Sequence, residues 1–259
     1  MNLFPSSEIG SLLELCRDAG AAVMEVYAGR VEVEEKEDAS PLTLADLRSH
    51  RLIVERLQRL YPGVPILSEE NAEQAPYEVR RHWRRCWLVD PLDGTKEFIK
   101  RNGQFTINVA LVENARPVFG LVYAPALEVL YYGGPGFGAF RTGEDGEPRR
   151  LPDEPRDDGE RVIVGSLSHP SPAMDEYVAE QKRLYGRVRF LAMGSALKIC
   201  LVAEGRADVY PRFGPTMEWD TAAAHAIANA AGKKVLRYGT GEELTYNKPD
   251  LRNDWFIVQ

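Results

Sequence analysis

The residues best placed to do chemistry lie in Trp87-Leu88-Val89-Asp90-Pro91-Leu92-Asp93-Gly94-Thr95. An apolar run ends in one carboxylate, and a second follows three residues later, so both can turn towards one point. Pro91 fixes its own φ and has no N–H, which predicts that the strand's ladder stops there. Gly94 lets the backbone approach a ligand closely. Thr95 can open a short helix over residues 96–100, and a helix start offers free N–H groups to an anion. Carboxylates beside an anion site are coherent when cations stand between them. Hard divalent ions with oxygen ligands, chiefly Mg²⁺, meet that need. Read alone, Asp90 and Asp93 could equally cap a turn, because Asp-Pro and Asp-Gly are common turn pairs.

Two further segments favour the metal reading. Leu67-Ser68-Glu69-Glu70 puts carboxylates at the end of another expected strand, and Glu218-Trp219-Asp220-Thr221 puts Asp220 at an expected helix start. An Asp in that place is also an ordinary N-cap. Together these segments supply acids at element ends in both halves of the chain, as a cleft site requires.

The elements that must position them follow from periodicity. Helical spacing covers residues 8–28, and Thr43 opens a second long helix that Tyr61-Pro62-Gly63 ends. A strand is expected over 31–36, and the short apolar runs 64–68 and 87–89 read as buried strands. Arg80, Arg81, Arg84 and Arg85 read as a solvated helix face. Runs at 105–112, 118–123, 129–132 and 137–141 form an antiparallel meander. The glycines from Gly133 to Gly138 make a hairpin turn rather than a nucleotide loop, since no helix follows. Residues 143–160, rich in Gly, Pro and charge, read as a linker. Beyond it, strands at 162–165, 188–191 and 208–210 alternate with helices at 195–204 and 221–231. The chain therefore reads as two lobes. Residues 1–145 form an α+β lobe with the main acid motif, and residues 160–259 form an α/β lobe.

The chain has 259 residues, 32 of them basic and 39 acidic, for a net charge of -7. A nucleic-acid polymer binder would usually be basic. An acidic host for an anionic substrate again requires bound cations to reverse the local field. Cys16, Cys86 and Cys200 are widely spaced and odd in number, as expected of reduced, buried thiols in a cytosolic protein. The N-terminus does not read as a signal peptide, and no run approaches the roughly 20 apolar residues of a membrane span.

Glu69-Glu70, then Asp90-Pro91-Leu92-Asp93-Gly94-Thr95, then Trp219-Asp220-Thr221-Ala222-Ala223 resembles the lithium-sensitive, magnesium-dependent phosphatase superfamily. That superfamily includes inositol monophosphatases, fructose-1,6-bisphosphatases and 3′(2′),5′-bisphosphate nucleotidases. The resemblance runs over nearly the whole chain, through Pro41-Leu42-Thr43-Leu44-Ala45-Asp46 and Gly194-Ser195. It implies a two-lobed, layered α/β/α/β/α sugar-phosphatase-like fold. The stretches 90–112 and 201–227 most resemble the bacterial nucleotidases of sulfate assimilation. That implies hydrolysis of adenosine 3′(2′),5′-bisphosphate to AMP and phosphate. An inositol or sugar phosphatase of the same superfamily is the alternative, and a non-catalytic phosphometabolite sensor is a third reading.

Residue roles follow from the same resemblance. Glu69, Asp90 and the Leu92 carbonyl would hold one Mg²⁺, and Asp90, Asp93 and Asp220 a second, with a third, weaker ion near Glu69. Gly94 and Thr95 would grip the scissile phosphate. Asp46 with Thr95 would deprotonate the attacking water. Gly194, Ser195, Lys198, Arg212 and Asp220 would contact the rest of the substrate. Bland readings stand beside these: a capping Ser195, a solvent Lys198, a turn-forming His169 and a core His225. The four tryptophans are expected to pack rather than bind. A monomer or homodimer is expected, cytoplasmic or peripheral at the cytoplasmic face of the inner membrane.

Overall fold

The computed structural model describes residues 6–29, 33–35, 41–154, 159–166 and 171–259. The first helix, α1 (Ser6–Ala28), buries Leu12, Leu15, Cys16, Ala19 and Val23 along one stripe. Strands β1 (Val33–Glu35) and β2 (Pro41–Thr43) form an antiparallel pair leading into α2 (Leu44–Leu60). Thr43 and Asp46 cap that helix reciprocally. A strand β3 (Ile66–Ser68) runs into a 3₁₀ turn, Glu69–Gln74, followed by the short α3 (Tyr77–Arg80).

Strand β4 (Arg85–Asp93) carries the acid motif into α4 (Thr95–Ile99). The meander is β5 (Thr106–Glu113), β6 (Arg116–Ala124), β7 (Val129–Gly134) and β8 (Gly138–Thr142). A two-residue β9 (Arg149–Arg150) pairs with β8, so part of the segment read as linker is an edge strand. These seven strands, β3 to β9, lie in sequence order; β3 and β4 are parallel and every later pair is antiparallel.

The second half comprises β10 (Arg161–Gly165), α5 (Pro172–Tyr185), β11 (Val188–Ala192), α6 (Leu197–Glu204), β12 (Tyr210–Arg212), α7 (Glu218–Ala230), β13 (Val235–Arg237) and β14 (Phe256–Val258). Parallel β10 and β11 are joined through an Ile163–Val209 bridge to the antiparallel set β12-β14-β13.

The layers follow from which residues share a core. Along β4, Trp87 and Val89 join the cluster built with α1 and α2, whereas Cys86 and Leu88 join the one built with α6 and α7. Successive strand residues face opposite sides, and both sides are covered, which is why β4 reads as one unbroken apolar run. Helix α5 covers the far side of the second sheet, where its Tyr177 packs with Ile163, Val209 and Phe213. The result is the layered α/β/α/β/α fold, with open sheets and flanking helices, that the resemblance implies. The larger core joins both halves of the chain. Helix α7, with Ala222, Ala223, Ala224 and Ala226 buried, lies against the seven-stranded sheet. At Gly120 of β6 an added Cβ would stand 2.0 Å from the Ala223 carbonyl oxygen, so only glycine admits the helix there.

Three local expectations change. The β4 ladder does not stop at Pro91. Asp90 pairs with Asn108 and Asp93 with Thr106, so Pro91 and Leu92 stand against one residue of β5 in a bulge. Arg80 is no solvated residue. It is buried, and its guanidinium donates to the carbonyls of Ala75, Lys248 and Pro249 and to the Asn247 side chain. Helix α7 opens at Glu218, which makes Asp220 its third residue rather than its N-cap. The strand expected at 31–36 is described only over Val33–Glu35, and His169 lies outside the described residues.

Candidate active site

One cleft of about 360 Å³ gathers Glu69, Asp90, Leu92, Asp93, Gly94, Thr95, Gly194, Ser195, Lys198, Arg212 and Asp220. Each arrives on a different device. The bulge in β4 re-aims the chain between Asp90 and Asp93, bringing both carboxylates to the cleft. Glu69 is the first residue of the 3₁₀ turn that Ser68 caps. Asp220 sits in the first turn of α7, where its Oδ2 accepts from the Met217 N–H at 2.9 Å. Gly94 has φ +89°, and a Cβ there would stand 2.2 Å from Ser195 Oγ, so glycine satisfies both the backbone and the close approach.

Asp90, Asp93 and Asp220 each have one oxygen fixed by the protein. Asp90 Oδ1 accepts from the Leu92 N–H at 3.0 Å. Asp93 Oδ2 accepts from the Ala196 N–H at 2.6 Å and from Thr106 and Asn108 at 3.3 Å. Among the described residues, the other oxygen of Asp90, of Asp93 and of Asp220 accepts no hydrogen bond. Among those residues, too, no three His, Cys, Asp or Glu side chains are already drawn together into a set able to hold a metal ion.

The electrostatics are those of acids crowded out of water. Burial, then the charges of Glu69, Asp93 and Asp220, push the Asp90 carboxyl well above the usual range. Burial, then Asp93, does the same to Asp220. Asp93 is also raised by burial, with Lys198 pulling the other way. Carboxyls that burial and mutual repulsion disfavour as anions, lining one cleft with Leu92, are oxygen donors of the kind a hard divalent cation takes. The donor chemistry therefore suits Mg²⁺, whose charge would relieve the repulsion and draw the acids closer.

The other candidates fall in different places. Asp46 is buried outside the cleft lining, and its Oδ2 accepts from Thr43 Oγ1 at 2.6 Å and the Thr43 N–H at 2.8 Å. Burial, with help from Glu70 and Glu69, pushes its carboxyl up to about 6. Thr95 Oγ1 donates to the Leu92 carbonyl at 3.3 Å, and the two side chains share no hydrogen bond. Ser195 has φ +51°, and its Oγ lies 2.9 Å from the Asp93 carbonyl and 2.8 Å from that of Gln104. It is a brace between segments rather than a helix cap.

Lys198 is no solvent lysine. Only 7% exposed, it donates from Nζ to the Ser195 carbonyl at 2.7 Å and stands 5.6 Å from the Tyr210 ring centroid. Burial lowers its pKa to about 8, against the pull of Asp93. Arg212 donates to the Pro215 carbonyl at 2.9 Å on the cleft rim. His225 is a core residue, with Nδ1 2.8 Å from the Tyr246 hydroxyl.

Sequence reasoning passed over Gln104, whose side chain accepts from the Gly194 N–H at 2.9 Å. It also passed over Ser166, Tyr210 and Thr216 in the cleft lining. The polar run Arg101-Asn102-Gly103-Gln104 before an apolar strand was the available signal for Gln104.

Comparison with known proteins places this geometry among relatives. The profile of the inositol monophosphatase family matches residues 7–254. A Salmonella typhimurium protein named 3′(2′),5′-bisphosphate nucleotidase CysQ is 50% identical over 235 residues, covering 90% of this chain and 91% of the relative. Its Escherichia coli namesake is 47% identical over 240 residues, covering 92% and 93%. Among solved structures, CysQ from Bacteroides thetaiotaomicron superposes with a TM-score of 0.88 at 45% identity, covering 100% of this chain and 98% of that one. A Thermotoga maritima IMPase superposes at 0.74 with 26% identity, covering 98% and 92%.

Proposed function

The chain belongs to the inositol monophosphatase family, and we propose that it hydrolyses the 3′(2′)-phosphate of adenosine 3′(2′),5′-bisphosphate to AMP and phosphate. The observation that carries this reading is the mixed charge of one cleft. Acids from β4 and α7 share it with the buried Lys198 of α6 and with Arg212 of β12. A monophosphate needs only the first group; a second phosphate needs cations of its own. The names of the relatives point to the same substrate.

The enzyme is a Mg²⁺-dependent phosphatase. Glu69, Asp90 and the Leu92 carbonyl would hold one ion and Asp90, Asp93 and Asp220 a second, with a weaker third near Glu69. Bound Mg²⁺ supplies positive charge to the phosphoryl oxygens and the leaving oxygen, and lowers the pKa of water. The chain's own work is positioning, which in-line phosphoryl transfer mostly requires. The Gly94 and Thr95 N–H groups and the Thr95 hydroxyl would hold the scissile phosphate. Asp46, at about 6, has a base strength suited to neutral pH. For Asp46 to take the water's proton through Thr95, the Thr95 hydroxyl must rotate away from the Leu92 carbonyl. Lys198 and Arg212, near Ser195 and Gly194, would receive the second phosphate.

Among the described residues no helix is long and apolar enough to cross a membrane. All the cleft residues come from one chain, and we propose a cytoplasmic location. A phosphate-release screen tests the substrate assignment. Adenosine 3′,5′-bisphosphate should turn over with higher kcat/KM than inositol 1-phosphate or fructose 1,6-bisphosphate. A preference for either polyol phosphate would overturn it.

A further inference from the structure

Two acid-bearing segments reach the cleft from separate strands, and one face of α2 touches both. Asp46, Ser49 and His50 stand three and four residues apart, so they share a helix face. Ile53 and Leu57 continue the stripe into the core and leave α2 little freedom to slide. Ser49 is buried, and its Oγ donates to the Pro91 carbonyl at 2.8 Å. That carbonyl lies in the β4 bulge, where the ladder slips between Asp90 and Asp93.

The adjacent residue does the equivalent for Glu69. His50 Nδ1 stands 2.9 Å from Ser68 Oγ. Ser68 caps the turn that begins with Glu69: its Oγ accepts from the Glu70 N–H at 3.4 Å, and its own N–H donates to Asn71 Oδ1 at 2.7 Å. With its oxygen accepting from Glu70, the Ser68 hydroxyl proton is available to Nδ1. His50 then serves as acceptor in the tautomer protonated at Nε2. Neighbouring residues of one rigid helix thus grip the segment holding Asp90 and Asp93 and the segment holding Glu69.

We infer that Ser49 and His50 are positioning residues: they fix the spacing between Glu69 and the Asp90–Asp93 pair and so set the affinity for Mg²⁺. This rests on the reading that those acids hold Mg²⁺. Neither residue lines the cleft. Each acts through the backbone or the capping hydroxyl of a segment that carries ligands. Outer partners that orient metal ligands commonly change affinity by about 10–100-fold when removed.

The test compares Ser49→Ala and His50→Leu with the conservative Ser49→Thr and His50→Asn, each as the full chain. Mg²⁺ is titrated calorimetrically without substrate, and thermal unfolding is followed with chelator and with excess Mg²⁺. Ser49→Ala and His50→Leu should each weaken Mg²⁺ on the order of tenfold. Both should shrink the rise in Tm that Mg²⁺ produces, and the Mg²⁺ needed for half-maximal turnover should move by the same factor. The conservative variants should recover most of that affinity. A purely structural role would lower Tm equally with and without Mg²⁺ and leave its affinity alone, which would overturn the inference. Should Ser49→Ala fail to fold, His50→Leu carries the test, since His50 is only half-buried. Failure of the underlying reading looks different: the parent itself would take up no Mg²⁺, and both would fall together.

Discussion

Replacing Asp90 by Asn should make the metal-free protein more stable while destroying its activity. Asp90 is 2% exposed, and burial and three neighbouring acids raise its carboxyl pKa. A carboxyl raised in the folded state contributes stability below its unfolded pKa of about 3.9 and loses it as pH climbs through the folded value. At pH 7 the metal-free fold therefore bears a cost for this carboxyl that the unfolded chain does not. Asn keeps an Oδ1 for the Leu92 N–H, so the bond at 3.0 Å survives and only the charge goes. Relieving a buried, repelled charge should stabilise by about 1–3 kcal/mol. For a chain of this size that is roughly 2–10 °C in Tm. The assay is thermal unfolding of parent and variant at pH 7, with chelator and with excess Mg²⁺, beside turnover. Asp90→Asn should melt higher than the parent in chelator, gain less from Mg²⁺, and release no phosphate. A variant that melts lower in chelator, or responds to Mg²⁺ as the parent does, would show that the Asp90 carboxyl neither burdens the metal-free fold nor holds the ion.

Lys198→Ala should lower kcat/KM for adenosine 3′,5′-bisphosphate by about 10–100-fold, the worth of a charge-assisted hydrogen bond. It should lower that for a simple monophosphate much less; equal losses on both would make Lys198 a partner of Asp93 rather than a specificity residue. His225 has its pKa lowered to about 3 by burial, so the fold favours the neutral ring. Its contribution is present above the unfolded value near 6.5 and is lost as pH falls towards 3, about 2 kcal/mol between pH 7 and pH 5. Urea unfolding at both pH values should show that loss in the parent and a smaller one in His225→Gln. Gly120→Ala would drive a Cβ into the backbone of α7 and should destabilise by about 1–3 kcal/mol in denaturant melts. An unchanged midpoint would mean that α7 does not lie as close to β6 as described.

The acids were legible because their chemistry and their places at strand and helix ends are local properties. Asp90, Asp93, Glu69 and Asp220 do line one cleft. What the sequence could not give depends on partners distant along the chain. Pro91 reads as a strand terminator, but a bulge absorbs it, because the extra residue lets β5 resume pairing at Thr106. Lys198 and Arg80 read as solvated because charge usually is. Their burial depends on Ser195 and Tyr210 in one case and the 247–249 segment in the other. Ser49 and His50 sit within an ordinary amphipathic helix, and nothing local marks them. Their meaning comes from Pro91 and Ser68, which only the fold brings within reach.

Whether this cleft uses its acids, through Mg²⁺, to cleave a nucleotide phosphate is read most directly from phosphate and AMP release from adenosine 3′,5′-bisphosphate against Mg²⁺ concentration, in the parent and in Asp220→Asn. Equal amounts of AMP and phosphate, saturable activation by Mg²⁺, and no turnover in chelator are expected. Asp220→Asn should need more Mg²⁺ and reach a lower rate. Phosphate release that persists at the same rate in chelator, or an Mg²⁺ dependence unmoved by Asp220→Asn, would contradict it.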